Sequence, residues 1–268
     1  MDEEKNNEIS TETGEEAASG SSVPGKLGEA VANVQQEVQV ARQPWYAILR
    51  QARFLLAIYA LLLACAGSLA FWVHTHPILA PDVAISEEVQ ENTLPWFKTL
   101  MIAISYQGNT LWLVIGLVVV ASVALWLLHF HLEALILLLV NITSEFLNVG
   151  IKVLVNRPRP SEPLVHILQH ATGQSFPSGH VMSYVAFWGT LFFYGLILFT
   201  GNRWWRIALL VISGFFLVLV GLSRIYLGDH WASDVLGAYL IGGLWLWLWM
   251  WIYVKLKERG VLPERKLP

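Results

Sequence analysis

Charge is what this chain has least of: Asp, Glu, Lys and Arg make up 14% of its 268 residues, while 55% are hydrophobic. That balance argues against a small soluble domain. Cysteine is almost missing as well. The single Cys65 excludes a disulfide within one chain and a cysteine metal site, and its place inside an apolar run reads as an inert buried thiol. No repeat of fixed period is visible, and no basic stretch leads into an apolar run at the start, which argues against a cleaved signal peptide. The formal net charge of -3 does not point to a nucleic-acid partner, because the acids crowd into the first sixteen residues and the bases flank the apolar runs.

What the chain does have is long apolar runs, each able to cross a hydrocarbon core of about 30 Å as a helix. Residues 1–43 are polar, with only Leu27, Val31, Val34 and Val38 at helical spacing, and read as a disordered to weakly helical tail. A membrane domain follows over 44–257, then a short tail over 258–268. Six spans are expected, at about Phe54–Val73, Leu111–Leu128, Leu132–Val155, His180–Phe199, Trp205–Leu222 and Val235–Val254. The connection His74–Thr110 is acidic, and its piece Pro95–Ser105 reads as an interfacial helix. Arg42, Arg50, Arg53, Arg203, Arg206, Lys255, Lys257, Arg259, Arg265 and Lys266 fall on the side of the termini, against Lys98, Lys152, Arg157, Arg159 and Arg224 on the other. Both termini are therefore expected in the cytoplasm. Trp204, Trp205, Trp249 and Trp251 fit interfacial anchors on that side, and Ala238 with Gly242 suits a close helix contact.

The third span carries Asn141, Glu145, Asn148 and Lys152 along one face, which should look into the bundle. Three polar stretches then converge on the outer side. Lys152 to Pro160 brings Lys152 and Arg159 to a helix end stiffened by prolines. Gly173 to His180 places Ser178 and Gly179 at a helix start, where unpaired N–H groups and the helix dipole suit an oxyanion. Ser223 to Asp234 supplies Arg224, His230 and Asp234, and a spacing of four on a helix predicts Asp234 over His230. A carboxylate on one imidazole nitrogen leaves the other free to attack phosphorus, and His180 is placed to protonate the leaving oxygen. Lys152, Arg159 and Arg224, with the N–H groups of Ser178 and Gly179, can neutralise a transferring phosphoryl group, so the chemistry calls for no metal and no other cofactor.

Lys152-x6-Arg159-Pro160, Pro177-Ser178-Gly179-His180 and Ser223-Arg224-x5-His230-x3-Asp234 together resemble the three-part signature of the type 2 phosphatidic acid phosphatase family, which shares its core with vanadium-dependent haloperoxidases. The resemblance implies an all-α six-transmembrane-helix bundle around a haloperoxidase-like phosphatase core. It implies a phosphohistidine on His230, His180 as acid and then base, Asp234 as orienting carboxylate, and a phosphate pocket of Lys152, Arg159, Ser178, Gly179 and Arg224. The substrate class is a lipid phosphate in the bilayer: phosphatidic acid, phosphatidylglycerophosphate, diacylglycerol pyrophosphate or a polyprenyl pyrophosphate. With the termini cytoplasmic, the site is expected on the extracytoplasmic side of a bacterial plasma membrane.

Other polar residues have plainer readings. Arg157 lies outside the signature and reads as a residue that tunes the entrance. The pairs His74 with His76 and His129 with His131 diverge at i, i+2 and read as interfacial residues rather than metal ligands. His166 and His170 stand four apart in a loop, structural or facing a headgroup. Glu145 reads as a paired structural acid, with positioning of Lys152 as the alternative. A haloperoxidase is disfavoured by the spans, and a transporter by the small number of intramembrane charges.

Overall fold

A computed structural model describes residues 45–198 and 204–261. The expected tail over 1–43, with its weak helix, and the last seven residues lie outside the described residues. The chain divides into two compact units, Met1–Leu56 and Ala57–Pro268, and the contacts that build the site fall within the second.

All regular structure among the described residues is helical. The helices are α1 Trp45–Thr75, α2 Ala80–Gln90, α3 Pro95–Asn109, α4 Leu111–Leu127, α5 His131–Val155, α6 Gly179–Ile197, α7 Trp204–Tyr226 and α8 Ala232–Glu258. Helix α6 includes a π-helical turn over Val185–Gly189. Five of them, α1 and α5 to α8, are long and apolar enough to cross a membrane, and α3 with α4, bent by 75°, forms a broken span or a re-entrant loop. The protein is thus an all-helical membrane protein of five spans, or six with the bent pair counted as one. Pro95–Asn109 buries one face on the bundle: Met101, Ile104 and Ser105 are buried, and Met101 packs with Tyr226 and Leu227 at the end of α7. The short α4 needs this partner, since 17 residues rise only about 26 Å.

Side chains sort by the solvent they meet. Phe54, Trp72, Leu154, Trp204 and Val218 are outward-facing, as an apolar surface in contact with lipid must be. Cys65 belongs with them, not with the buried residues, because α1 packs along a narrow face, with Ala66 and Val73 alone buried among its described side chains. Small residues let α8 close on its neighbours: a Cβ on Gly237 would strike the Phe176 ring at 2.3 Å, and one on Gly242 would touch Val185 at 3.4 Å. Trp249 turns inward to donate to Thr143 Oγ1 at 3.1 Å, so it is not an interfacial anchor. At the far end of α5, Glu133 Oε1 accepts from Tyr253 Oη at 2.6 Å and from Lys257 Nζ at 3.1 Å, which ties α5 to α8 away from the polar cluster.

The polar face of α5 is only partly inward. Asn148 is buried and Lys152 half-buried, but Glu145 is exposed and makes no ion pair among the described residues. A helix turns 100° per residue, so Asn148 and Lys152, seven and eleven residues from Asn141, stay within about 20° of it, while Glu145 at four residues is offset by about 40° and falls outside the buried stripe.

Candidate active site

The connection from Asn156 to Ser178 is the roof of the site, and its path is fixed by backbone bonds. Asn156 ends α5 in the left-handed region with φ 46°. Ser175 N–H donates to Arg157 O at 2.8 Å, and Leu168 N–H to Leu227 O at 3.0 Å. Gln90 clamps the roof from α2, donating through Nε2 to His166 O at 2.7 Å and accepting His166 N–H at 3.1 Å. Gly228, at φ +75°, has no room for a Cβ, which would lie 2.3 Å from His166 O. The roof and the α7–α8 turn therefore meet backbone to backbone, and that contact brings distant signature residues together.

His230 sits in this turn, 2% exposed, and not on a helix. Helix α8 begins at Ala232 with Trp231 as N-cap, and Asp234 is the third helical residue, accepting Trp231 N–H on Oδ2 at 3.0 Å. The expected i, i+4 stacking on one helix is corrected accordingly: a capping arrangement, not helical register, aims the carboxylate at His230. Nor is the contact a direct hydrogen bond. His230 Nδ1 stands 3.5 Å from Asp234 Oδ2, while Ser175 Oγ donates to that same oxygen in a short hydrogen bond and lies 3.4 Å from Nδ1.

Arg159 settles the tautomer. Its Nη1 donates to Asp229 O at 2.8 Å and approaches His230 Nε2 at 3.2 Å, and Nε donates to the carbonyls of Thr172 and Gly173. A guanidinium can only donate, so Nε2 accepts and the ring proton is on Nδ1, toward Ser175 and Asp234. Burial, reinforced by Arg159, Arg224 and Lys152, holds the imidazole well below the usual histidine range. The ring is therefore neutral, with an unprotonated Nε2 whose lone pair faces Arg159. Burial likewise lowers Arg159 and raises Asp229, the latter against the pull of Arg224 and Arg159.

Ser178 is the N-cap of α6 and Gly179 its first residue. Ser178 N–H is already used, donating to Asp234 O at 3.3 Å, so it is not part of an anion cradle as expected. The Ser178 hydroxyl is buried without a hydrogen-bond partner, and the first-turn N–H groups of Gly179 and His180 have no acceptor within the helix. A Cβ on Gly179 would stand 2.8 Å from Asn148 Nδ2. His180 Nε2 contacts Asn109 Oδ1 at 2.8 Å, an oxygen that also accepts from Gln169 Nε2 at 2.8 Å. The amide oxygen can only accept, so His180 carries its proton on Nε2. The two histidines thus differ at Nε2, bare on His230 and protonated on His180.

Lys152 Nζ donates to Gln174 O at 2.8 Å. Arg224, 1% exposed, bonds Ser105 Oγ and pairs with Asp229 Oδ2, while its Nε has no partner. Arg157 does not tune an entrance: it is 1% exposed and bridges two carboxylates, donating from Nη1 to Asp234 Oδ1 at 2.6 Å and from Nη2 to Asp82 Oδ2 at 2.7 Å. Beside Arg159 a cavity of about 360 Å³ opens, lined by Glu162, Gln169, His170, Gly228 and Asp229 among others. His166 and His170 are both exposed on a loop, so their spacing of four has no helical meaning, and only His170 borders the cavity. His74 caps α5 through Nδ1 on Val155 O at 2.8 Å.

All eight residues expected at the site lie in this region or border it. The reading of the sequence missed Arg157, Ser175, Asn109, Asp229 and Asp82. Ser175 and Asp229 lie inside the signature stretches and were within reach, whereas Asp82 and Asn109 come from the outer connection, where nothing in the sequence ties them to the site.

Residues 133–258 match the PAP2 superfamily. The chain is 30% identical over 190 residues to phosphatidylglycerophosphatase B of Bacillus subtilis (strain 168), an alignment covering 70% of this chain and 91% of that protein. It is 29% identical over 157 residues to the putative undecaprenyl-diphosphatase YbjG of Escherichia coli (strain K12), covering 56% and 71%. The crystal structure of a transmembrane PAP2 type phosphatidylglycerolphosphate phosphatase from Bacillus subtilis superposes with a TM-score of 0.64 at 29% identity, over 74% of this chain and 96% of that one. With the bundle, the signature stretches and nearly the full length of a relative in common, this chain belongs to the PAP2 superfamily and is a membrane-embedded phosphate-ester hydrolase.

Proposed function

We propose that the protein removes a terminal phosphate from a lipid held in the bilayer, through a phosphohistidine on His230. The observation that carries this reading is the contrast at Nε2, unprotonated on His230 and protonated on His180. In the first step His230 Nε2 bonds to phosphorus as the bond to the lipid oxygen breaks, and His180, acting as the imidazolium, gives that oxygen its Nε2 proton and becomes neutral. In the second, His180 takes a proton from water, the water oxygen bonds to phosphorus, and the phosphorus–nitrogen bond breaks to release phosphate. Asp234 and Ser175 hold Nδ1–H throughout and stabilise the positive ring of the intermediate.

Lys152, Arg159 and Arg224, the Ser178 hydroxyl and the N–H of Gly179 would bind the phosphoryl oxygens. Buried donors without a protein acceptor, such as Ser178 Oγ and Arg224 Nε, are ones an oxyanion would satisfy. These cations supply the positive charge that the transferring group needs, so we expect activity without a divalent metal. The names of the relatives favour phosphatidylglycerophosphate or a polyprenyl pyrophosphate over a soluble ester. The excess of Lys and Arg toward the termini supports cytoplasmic termini and an extracytoplasmic site in a bacterial plasma membrane.

The test is a panel of lipid phosphates and one sugar phosphate in a single detergent, compared by kcat/KM, with His230→Ala alongside. Lipid turnover that disappears in a folded His230→Ala protein is expected. Phosphate release by that variant overturns the nucleophile, and equal turnover of the sugar phosphate overturns the lipid assignment.

A further inference from the structure

Asp82 stands on α2, outside every signature stretch, yet it is 3% exposed and fully engaged. Its Oδ1 accepts Ser233 N–H at 2.8 Å, and its Oδ2 accepts Ser233 Oγ–H at 2.6 Å and Arg157 Nη2 at 2.7 Å. Arg157 is anchored besides by Nε on Pro77 O at 2.9 Å and by Nη1 on Ser233 Oγ at 2.7 Å. One guanidinium is thus shared by two buried carboxylates. The second of these, Asp234, is the one that holds the His230 ring through Ser175 and Oδ2. The three groups carry a net charge of one negative. Without Asp82, Arg157 would cancel Asp234, and the ring would face a neutral pair.

We propose that Asp82 is a positioning residue for the phosphatase reaction, which sets through Arg157 how much negative charge Asp234 presents to His230. A packing role alone does not call for a buried carboxylate, since an apolar group of similar volume would fill the space without the desolvation penalty. The other charged or titratable groups facing His230 are Lys152 on α5, Arg159 in the roof, His180 on α6, Arg224 on α7 and Asp229 beside it in the turn. Lys152, Arg159 and Arg224 are cationic and oppose a positive ring, and Asp229 is paired with Arg224, so the charge left on Asp234 is what favours it. The inference rests on His230 as nucleophile.

The experiment is single-turnover formation of the phosphoenzyme against pH, in the full-length protein, with Asp82→Asn and the double variant Asp82→Asn/Arg157→Met. Taking away the Asp82 charge disfavours the imidazolium. The acid limb of phosphoenzyme formation should therefore move down by about one pH unit, and the plateau rate should fall about tenfold. The double variant restores the net charge of the cluster, so its limb should return to the wild-type position while its plateau stays low. Asp82→Ser removes the same charge without setting a second donor against Arg157 Nη2, and gives the same reading if Asp82→Asn does not fold. A limb that stays in place in folded Asp82→Asn or Asp82→Ser overturns the proposal, even where the rate has dropped. Phosphoenzyme in a His230→Ala protein would overturn the nucleophile instead, so the two failures are distinct.

Discussion

Replacing Ser175 by Ala tests whether the carboxylate reaches the histidine through a hydroxyl. Ser175 is fully buried, and its N–H bond to Arg157 O at 2.8 Å does not involve the side chain, so Ala should leave the roof in place. What disappears is the Oγ–H that bonds Asp234 Oδ2 and stands 3.4 Å from His230 Nδ1. The remaining 3.5 Å between Nδ1 and Oδ2 is beyond a normal hydrogen bond. To close it the ring must shift by several tenths of an ångström, and Nε2 is carried off the line of attack. A hydrogen bond to a charged group is worth about 1.5–3 kcal/mol. If that is felt mainly as the imidazolium forms, phosphoenzyme formation should slow by roughly 10- to 100-fold. Rapid-quench measurement with a labelled lipid phosphate, with the thermal midpoint of each variant in the same detergent, separates a lost interaction from a lost fold. A Ser175→Ala protein within about twofold of wild type would refute the relay.

Four further outcomes follow from the same geometry. Asp234→Asn sets an amide N–H₂ against either Arg157 or Trp231 N–H, and should cost kcat about 10³-fold or more with the lipid KM little changed; a loss confined to KM would contradict it. Because burial and three cations keep His230 neutral, phosphoenzyme formation should hold its rate as pH falls through the ordinary imidazole range near 6.5, and a half-maximal rate at that pH would show an unshifted ring. Stability should run the other way, declining as pH drops below about 6.5, since the unfolded chain takes up a proton that the folded ring refuses; this is read from the thermal midpoint against pH. Gly228→Ala forces a Cβ onto His166 O at φ +75° and should destabilise by about 2 kcal/mol or more, whereas Lys98→Ala should leave turnover unchanged.

The parts of this molecule that could be read from sequence are those whose physics is local. Apolar runs long enough to span a bilayer need no partner to be recognised, and α5 to α8 fall within a few residues of the expected limits. The expected second span, Leu111–Leu128, coincides with helix α4, and what spacing did not show is that Pro95–Asn109 before it joins the bundle through Met101 on Tyr226 and Leu227. Glu145 was read as inward because it shares a polar stripe with Asn148. Its exposure depends on where α6 meets α5, and a helix face gives no sign of that. At the site, residues within the signature stretches came together, while the contacts that decide their chemistry did not follow from spacing. The four residues from His230 to Asp234 look like one helical turn, and are in fact a turn entering an N-cap.

That difference changes what the carboxylate can do. Stacked on a helix, Asp234 would have one neighbour and a freely rotating side chain. At the third position of α8 its Oδ2 is held by Trp231 N–H and Ser175, and its Oδ1 by Arg157, so no rotamer change is open to it without breaking three bonds. Those bonds come from α8, from the roof and from the end of α5, the last of them tied through Asp82 to α2. The orientation of one imidazole ring is therefore fixed by segments from 82 to 234, most of them outside the bilayer-spanning lengths. A lipid phosphatase under this reading keeps its spans free to face lipid, with Leu154 and Val218 outward, and gathers most of its buried charges at one end, Glu133 being at the other. There Arg157 lies between two carboxylates, and the charge it leaves uncancelled reaches the reacting nitrogen only across the ring.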